Sequence, residues 1–474
     1  MSGPRQALAF AGRLVMLGFG CIGQGVLPLL LRHIGMSPDQ IMVIKPGEDD
    51  AEKARDQGVR LQHATVTEAN LRELLDPLLG AGDFLLNLSV NVSSRALIAF
   101  CRERRALYLD TCNEPWAGGH LDASLPLAQR TNYALREAAL ALRTPGGDAP
   151  TALITHGANP GLVSHFVKQA LLELAAQSHL AAQEPRPRDR SGWARLARDL
   201  GVRVIHVAER DTQISPVRKR RGEFVNTWSV DGFVGEACQP AELGWGSHER
   251  QFPPDGLRHP VGSRAAIYLN RPGASVRVRS WTPLAGPQHG FLITHGESIS
   301  IADHLTLGDP ACPDYRPTVH YAYHPCDDAV LSLHELAGRN WGVQPQRRVL
   351  GAEIDRGIDE LGILLMGPGA GAYWYGSQLS IEEARALAPH NNATSLQVAA
   401  AVMAGTVWVM KNPTCDVVEP DDLPFDEILR LCRPYLGRVV GVASRWTPLE
   451  GRGRLYTEEL DLSDPWQFGN FRVT

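Results

Sequence analysis

Cysteines are few in this 474-residue sequence, and their spacing argues against a metal centre. The eight cysteines are scattered, with no Cys-x-x-Cys pair and no spacing typical of metal ligands. They are typical of thiols that stay reduced, because disulfide frameworks belong mainly to secreted proteins. The pattern predicts no bound metal and a cytoplasmic location.

Targeting and membrane-spanning patterns are also lacking. The first residues, MSGPRQALAFAGR, lead straight into an apolar strand pattern, without the long apolar core and cleavage site of a signal peptide. The longest apolar run, residues 398–410, is shorter than the ~18 residues that predict a membrane span. We therefore expect no membrane partner.

Positive charge is not in excess. The formal net charge is −5, and the one dense basic run, RKRR at residues 218–221, is short. Nucleic-acid-binding surfaces usually show clustered Lys and Arg, whereas an isolated short run is usually a solvated turn. The composition, 44% hydrophobic and 21% charged, indicates a globular protein of two or three domains that binds no nucleic acid.

A glycine-rich motif near the N-terminus predicts dinucleotide binding. An apolar strand pattern at residues 14–17 runs into GFGCIG, and a helical pattern follows it. In this context the first glycine permits a tight turn, the second lets the backbone approach a pyrophosphate, and the third lets helix and strand pack closely. The cofactor contacts predicted in this motif are Gly18, Gly20, Cys21, Ile22 and Gly23.

Strand and helix patterns then alternate, which predicts an α/β fold with a Rossmann-type doubly wound parallel sheet. Ligands of such sheets lie off the carboxyl ends of the strands. The cofactor contacts predicted at these ends are Asn87, Leu88, Ser89 and Thr111, with Ala158, Asn159 and Pro160 from the turn GANPG.

The residue after the second strand bears on which nicotinamide cofactor is expected. An acidic residue usually binds the ribose hydroxyls here, but this sequence has Lys45. A lysine could favour the 2′-phosphate of NADP, while Glu48 is close enough in sequence to serve as the ribose acceptor. We predict NAD, with Lys45 beside the adenosine.

From Gly201 onward, alternating strand patterns predict a second α+β domain with a mixed or antiparallel sheet. Glu209 ends the strand VRVIHVAE, Trp228 lies in the strand EFVNTWSV, and Glu236 follows in a glycine-bounded segment. If the two strands pair, these side chains converge on a pocket for an organic cation, since carboxylates and an indole face both attract an ammonium group. The alternative is a core Trp228 with solvated or salt-bridged glutamates.

A histidine is the candidate proton shuttle of this site. His295 ends the strand pattern GFLITH, and histidine titrates near neutral pH without large perturbation. The sequence has 16 histidines, so a purely structural role is the competing interpretation.

Phrases spread over nearly the whole chain resemble one family. The resemblance is to the bacterial homospermidine synthases, of the wider saccharopine-reductase-like group, and is carried by HVAERDTQ, VNTWSVDGFVGE, QPAELGWG, THGESISIADHLT, YAYHPCDDAVLSLHEL, GIDELGILLMG and DPWQF. It implies Glu114 at the substrate entrance, with Asn159 and Asp359 among the catalytic residues. Two positions depart from it, because Lys45 and Asn91 stand where the family commonly has Asp.

The resemblance also implies a domain arrangement. The helical segment after residue 385 is expected to pack back on the nucleotide-binding domain, which would then comprise residues 1–155 and 385–474. Residues 156–384 would form the substrate-binding domain and the dimerisation sheet of a homodimer.

The implied reaction is the NAD-dependent transfer of a 4-aminobutyl group from putrescine, or from spermidine, to putrescine. The cofactor takes a hydride from the donor, the imine exchanges with the second amine, and the same cofactor reduces the new imine. A Schiff base on lysine is the competing mechanism, but none of the five lysines lies in the segments that carry Glu209, Trp228 and Glu236. We therefore favour free imines in a pocket closed to water.

Two other functions remain open from the sequence. A saccharopine- or carboxynorspermidine-forming reductase would use the same fold, but it needs an arginine in the pocket to bind a substrate carboxylate. A non-catalytic NAD-sensing protein needs a partner surface or a DNA-binding element, and the sequence shows no pattern for one.

Overall fold

The computed structural model describes residues 8–47, 51–144, 146–178 and 186–473. One of its two large sheets is parallel and has seven strands. In spatial order they are Val417–Val418, Ala152–Leu153, Leu107–Asp110, Phe84–Asn87, Leu14–Leu17, Ile41–Lys45 and Arg60–His63. The chain runs outward from Leu14–Leu17 first in one direction and then in the other, so the predicted doubly wound topology is confirmed.

Both faces of this sheet are covered, because side chains alternate along each strand. Leu14 and Met16 pack in one core with the helix Cys21–His33, while Val15 and Leu17 pack in another. The helices of this part of the chain are Cys21–His33, Ala51–Asp56, Leu71–Leu75, Ser94–Arg104 and Asn132–Leu140. The apolar side chains on both faces of the sheet are therefore buried, as a doubly wound fold requires.

The second large sheet has eleven strands and is mixed. Its main order is Gly256–Arg258, Ala266–Pro272, Pro240–Gly244, Thr318–His324, Val204–Asp211, Ile358–Gly367, Gly371–Ser380 and Arg438–Ser444, with Arg277–Thr282, Gly286–Phe291 and Arg472–Val473 as a branch. Thr318–His324 pairs in parallel with Val204–Asp211, and the other pairs are antiparallel. The predicted α+β second domain is confirmed.

More helices accompany this sheet than its strand-rich sequence suggests. They are Leu162–Gln177, Arg190–Asp199, Val230–Cys238, Gly296–His304, Asp327–Gly338, Ile381–Leu387, Ala393–Lys411, Phe425–Cys432 and Phe468–Phe471. Three short two-strand pairings lie apart from the large sheets: Leu8–Ala9 with Ile34–Gly35, Glu223–Asn226 with Gln346–Val349, and Leu307–Asp309 with Cys312–Tyr315.

The helix Ala393–Lys411 packs against the helix Cys21–His33. Within the described ranges, it is the one helix long and apolar enough to cross a membrane by length and composition, and 89% of that window is buried inside the protein.

The C-terminal segment 385–474 contributes to both sheets. Val417–Val418 pairs with the parallel sheet, but Arg438–Ser444 pairs with Gly371–Ser380 in the mixed sheet. Arg472–Val473 also joins the mixed sheet. The strands of this segment are therefore divided between the two large sheets, with the alternating pattern RVVGVAS at an edge of the mixed sheet.

Candidate active site

A cavity of about 880 Å³ opens where the carboxyl ends of the parallel strands face the mixed sheet. The predicted site residues that line it are Gly18, Gly20, Cys21, Ile22, Gly23, Lys45, Leu88, Ser89, Thr111, Glu114, Ala158, Asn159, Pro160, Glu209, Trp228, Glu236 and His295. Asn87 and Asp359 do not line it. Among the described residues, no group of three or more His, Cys, Asp or Glu side chains is placed to hold a metal ion.

The glycine motif forms a cradle at the N-terminus of the helix Cys21–His33. Gly18 has φ of 90°, and a Cβ there would lie 2.7 Å from the Leu88 carbonyl oxygen. A Cβ at Gly23 would lie 2.8 Å from the Gly18 oxygen, whereas one at Gly20 would meet nothing within 4 Å. The helix Cys21–His33 has no side-chain cap and no acidic residue in its first turn. These features fit a pyrophosphate at the helix N-terminus.

Asn87 acts from behind the cavity wall. Its Oδ1 accepts hydrogen bonds from the Ser89 backbone N–H (3.2 Å) and from the Ser89 hydroxyl (2.6 Å). Asn87 therefore orients Ser89, which lines the cavity, instead of facing a ligand itself. Lys45 lines the cavity as predicted, while Glu48 lies outside the described residues.

Glu209 is held by two neutral donors. The Tyr321 hydroxyl and the Asn159 amide (2.9 Å) both donate to its Oε2. Burial raises the pKa of Glu209 to about 8, although these hydrogen bonds act in the opposite direction. Tyr321 also lines the cavity and was not predicted. Glu209 lies within the strand Val204–Asp211, not at its end.

Asp359 belongs to a buried acidic group behind Glu209. It faces Asp211 across the antiparallel pairing of Ile358–Gly367 with Val204–Asp211. Burial raises the pKa of Asp359 well above its ordinary value, and the charges of Glu209 and Asp211 raise it further. Burial also raises the pKa of Asp211, to about 6. The folded protein therefore favours protonated carboxyl groups at this place.

His295 is fixed between two carboxylates. Its Nε2 lies 3.0 Å from Glu236 and its Nδ1 lies 3.2 Å from Glu297. Burial acts to lower the pKa of His295, but the charges of Glu297 and Glu236 raise it well above its ordinary value. The two carboxylates therefore favour the imidazolium form of the ring, which departs from the expected titration near neutral pH. Burial raises the pKa of Glu236, although His295 opposes this shift.

Trp228 and Glu236 reach the cavity by a route that differs from the predicted one. The strand that precedes Trp228 ends at Asn226 and pairs with Gln346–Val349, not with the strand of Glu209. Glu236 lies on the helix Val230–Cys238. The Trp228 indole N–H donates to the Tyr323 hydroxyl at 3.3 Å. Glu209, Trp228 and Glu236 therefore line one cavity, although the two strands that were expected to pair do not.

Glu114 is a further acidic residue that lines the cavity. Its carboxylate accepts hydrogen bonds from the Asn91 backbone N–H (3.1 Å) and the Cys112 thiol (3.3 Å), and it lies 3.1 Å from His120 Nε2. Asn91 has φ of 65°, which Asn tolerates better than most residues. Asn91 therefore binds the Glu114 carboxylate through its backbone N–H group.

Two family models together match most of the chain. The saccharopine dehydrogenase NADP binding domain matches residues 14–154, and the saccharopine dehydrogenase C-terminal domain matches residues 157–442. A homospermidine synthase of Blastochloris viridis is 54% identical over 98% of this chain and 97% of that protein. The chain belongs to the homospermidine synthase family. The family is one of enzymes, so the resemblance and the expectation of an enzyme are both confirmed.

Further relatives agree with the family assignment. A homospermidine synthase of Mesorhizobium japonicum is 50% identical over 98% of this chain and 96% of that protein. The crystal structure of a homospermidine synthase from Legionella pneumophila, in complex with NAD, superposes with a TM-score of 0.92 at 48% identity and covers 99% of both chains. A saccharopine dehydrogenase from Saccharomyces cerevisiae, at 11% identity and a TM-score of 0.52 over 91% of this chain and all of that one, shares only the fold.

Proposed function

We propose that the protein transfers a 4-aminobutyl group from putrescine, or from spermidine, to a second putrescine, with NAD as a cofactor that is not consumed. The observation that carries this proposal is the continuity of the cavity, which has the glycine cradle at one end and Glu209, Trp228 and Glu236 at the other. A hydride acceptor and a cationic substrate can thus occupy one enclosed space.

NAD supplies the group that accepts a hydride from the donor amine and later returns it to the new imine. The glycine cradle would hold its pyrophosphate, and Leu88, Ser89 and Thr111 line the cavity next to the cradle. The choice of NAD over NADP is supported by the NAD complex of the Legionella relative, although Lys45 is cationic and the matching family model is named for NADP.

Glu209 is the residue best suited to deprotonate the amine. Hydride leaves an amine carbon only when the nitrogen is neutral, while putrescine in water carries two ammonium groups. A base works best with a pKa near the working pH, and burial brings the pKa of Glu209 to about 8. The donors Tyr321 and Asn159 hold the carboxylate in place. Asp359, behind the wall, would influence this titration without contacting substrate.

The second ammonium group needs a fixed counter-charge. Glu236 and Glu114 line the cavity and supply it, with the Trp228 ring as a cation–π surface. His295, as an imidazolium between Glu236 and Glu297, positions Glu236 and does not take a proton from the substrate. This assignment replaces the predicted role of His295 as a proton shuttle.

The lysine Schiff-base mechanism is not favoured. Of the five lysines, all within the described ranges, Lys45 alone lines the cavity, and it is the last residue of the strand Ile41–Lys45 in the nucleotide-binding sheet. The buried Lys168 donates to the carbonyl oxygens of Asp421 (2.5 Å) and Leu423 (3.2 Å) instead. Free imines therefore remain our proposal.

A carboxylate-binding reductase is the second candidate. Arg347 lines the cavity, but it pairs with Asp231 at 3.0 Å and both side chains are about half exposed. Incubation with labelled putrescine and NAD⁺, without any other reductant, separates the functions. Labelled homospermidine without accumulated NADH supports the proposal, whereas a requirement for added NADH and an amino acid favours the reductase, and no turnover favours an NAD-sensing protein.

A homodimer and a cytoplasmic location are part of the proposal. All eight cysteines are free thiols, which supports a reducing compartment. The homodimer is supported only by the resemblance, and light scattering on the purified protein tests it. The expected lack of nucleic-acid and membrane partners stays a prediction.

A further inference from the structure

A second cavity, the side pocket, lies beside the acidic end of the main cavity. Its volume is about 30 Å³, enough for one water-sized molecule or ion. Its walls include Glu114, Glu236 and His295, which also line the main cavity, together with Asn113, His120 and Gln239. The side chains of Glu114, Glu236 and His295 therefore lie between the two cavities.

The side pocket is rich in hydrogen-bond acceptors that have no donor. Within the described residues, Asn113 Oδ1, His120 Nδ1 and Gln239 Oε1 are buried without a partner. The Gln239 amide cannot be turned, because its Nε2 donates to the Arg130 carbonyl oxygen at 3.0 Å. His120 Nδ1 is an acceptor when Nε2 carries the proton that faces Glu114. Buried acceptors of this kind are costly unless a ligand satisfies them.

The charge of the wall favours a small cation. Glu114 and Glu236 contribute carboxyl groups, and His295 has both ring nitrogens next to the carboxyl groups of Glu236 and Glu297. Water would bring two donors and two lone pairs that themselves need donors. An ammonium ion brings four donors, no acceptor and a positive charge, so it matches both the acceptors and the carboxylates.

We propose that the side pocket receives the ammonium ion that is released when putrescine is the aminobutyl donor, an assignment that rests on the proposed function. In the exchange step, R–CH=NH and R′–NH₃⁺ give R–CH=N–R′ and NH₄⁺. The C=N bond to the leaving nitrogen is replaced by a C=N bond to the attacking nitrogen, and the three hydrogens of the attacking ammonium group leave with the other nitrogen as NH₄⁺. Nothing is oxidised or reduced. In the reverse direction the same pocket holds an ammonium ion beside the imine.

The nature of the donor provides an internal control. When spermidine donates the aminobutyl group, the leaving amine is propane-1,3-diamine, which is too large for a cavity of about 30 Å³. Changes in the side pocket should therefore alter the rate with putrescine as donor relative to the rate with spermidine as donor.

The test is the entry of ¹⁵N-ammonium into putrescine in the presence of NAD⁺, measured by mass spectrometry for wild type, Gln239→Met and Asn113→Leu. We expect entry in the wild type and a loss of about tenfold in each variant, the effect of one hydrogen bond to a charged group. Gln344→Met is the matched control. Gln344 is buried, its Nε2 donates to the Ser332 carbonyl oxygen at 2.8 Å, its Oε1 has no partner, and it lines neither cavity.

The outcomes separate the two proposals. Homospermidine synthesis with unchanged ¹⁵N entry in both variants would overturn the side-pocket assignment alone. An equal loss of the putrescine-donor and spermidine-donor rates would also overturn it, because a structural defect does not distinguish the leaving amine. Wild-type protein that makes homospermidine from neither donor would overturn the proposed function and the assignment with it.

Discussion

Replacement of Glu209 by glutamine is expected to stabilise the protein at alkaline pH and to abolish its activity. Burial raises the pKa of this carboxyl from 4.5 to about 8, so the folded state favours the protonated form. Between these two values the unfolded chain has released a proton that the folded chain retains, and stability therefore falls as the pH rises. The shift corresponds to roughly 3 to 5 kcal/mol above pH 8, at about 1.36 kcal/mol for each pKa unit.

Glutamine keeps the shape of the protonated side chain and removes its titration. Its oxygen can accept the hydrogen bonds of Tyr321 and Asn159. The difference in unfolding midpoint between Glu209→Gln and wild type should be small near pH 4.5, grow as the pH rises from 4.5 to about 8, and become constant above about pH 8. Thermal unfolding followed at a series of pH values measures it, together with the rate of homospermidine formation.

A control with the same chemical change should have the opposite sign. A hydrogen bond from Arg452 lowers the pKa of Glu458 to about 2, so Glu458→Gln removes a favourable charge and should lower the midpoint at neutral pH. The reasoning is refuted if Glu209→Gln is less stable than wild type above pH 8, or if its advantage does not change with pH.

Four further substitutions, at three positions, test the contacts proposed for substrate and cofactor. Trp228→Phe should raise the KM for putrescine about threefold and Trp228→Ala more than about tenfold, because phenyl retains part of the cation–π attraction; equal effects would contradict a cation contact. Glu236→Gln should lower kcat/KM by about a hundredfold or more, since it leaves an ammonium without its counter-charge, and unchanged steady-state kinetics would remove Glu236 from the site. Lys45→Asp should weaken NADP binding and leave NAD preferred; a wild-type preference for NADP of about tenfold, or 1.4 kcal/mol, in equilibrium titrations would reverse our choice.

The nucleotide-binding half could be predicted because its signals are local. The turn at Gly18 needs φ of 90°, and Gly23 lies against the Gly18 carbonyl oxygen, so both constraints appear within a few residues of sequence. Asn87 was predicted to contact the cofactor, but its side chain lies behind Ser89 and accepts two hydrogen bonds from it. The difference depends on the backbone direction just after the strand, which the sequence does not show.

The acidic half depends on contacts between distant segments, which the sequence does not reveal. The partner of Glu209 is Tyr321, from a strand whose parallel pairing with Val204–Asp211 joins residues over a hundred positions apart. A signal was present, because Tyr321 and Tyr323 alternate in TVHYAYH and share one strand face. The pKa of His295 is raised by Glu297, which lies two residues along the chain, and by Glu236 from a separate helix. The sequence shows the first of these neighbours but not the second.

The central claim is that one bound cofactor takes a hydride from putrescine and returns it to the product. It is tested most directly with putrescine deuterated at both terminal carbons and an amount of NAD⁺ far below that of the substrate. The account predicts homospermidine in large excess over NAD⁺, with every deuterium atom of both substrate molecules retained and no accumulation of reduced cofactor. Product that is limited by the amount of NAD⁺, or that lacks one deuterium atom, would contradict it.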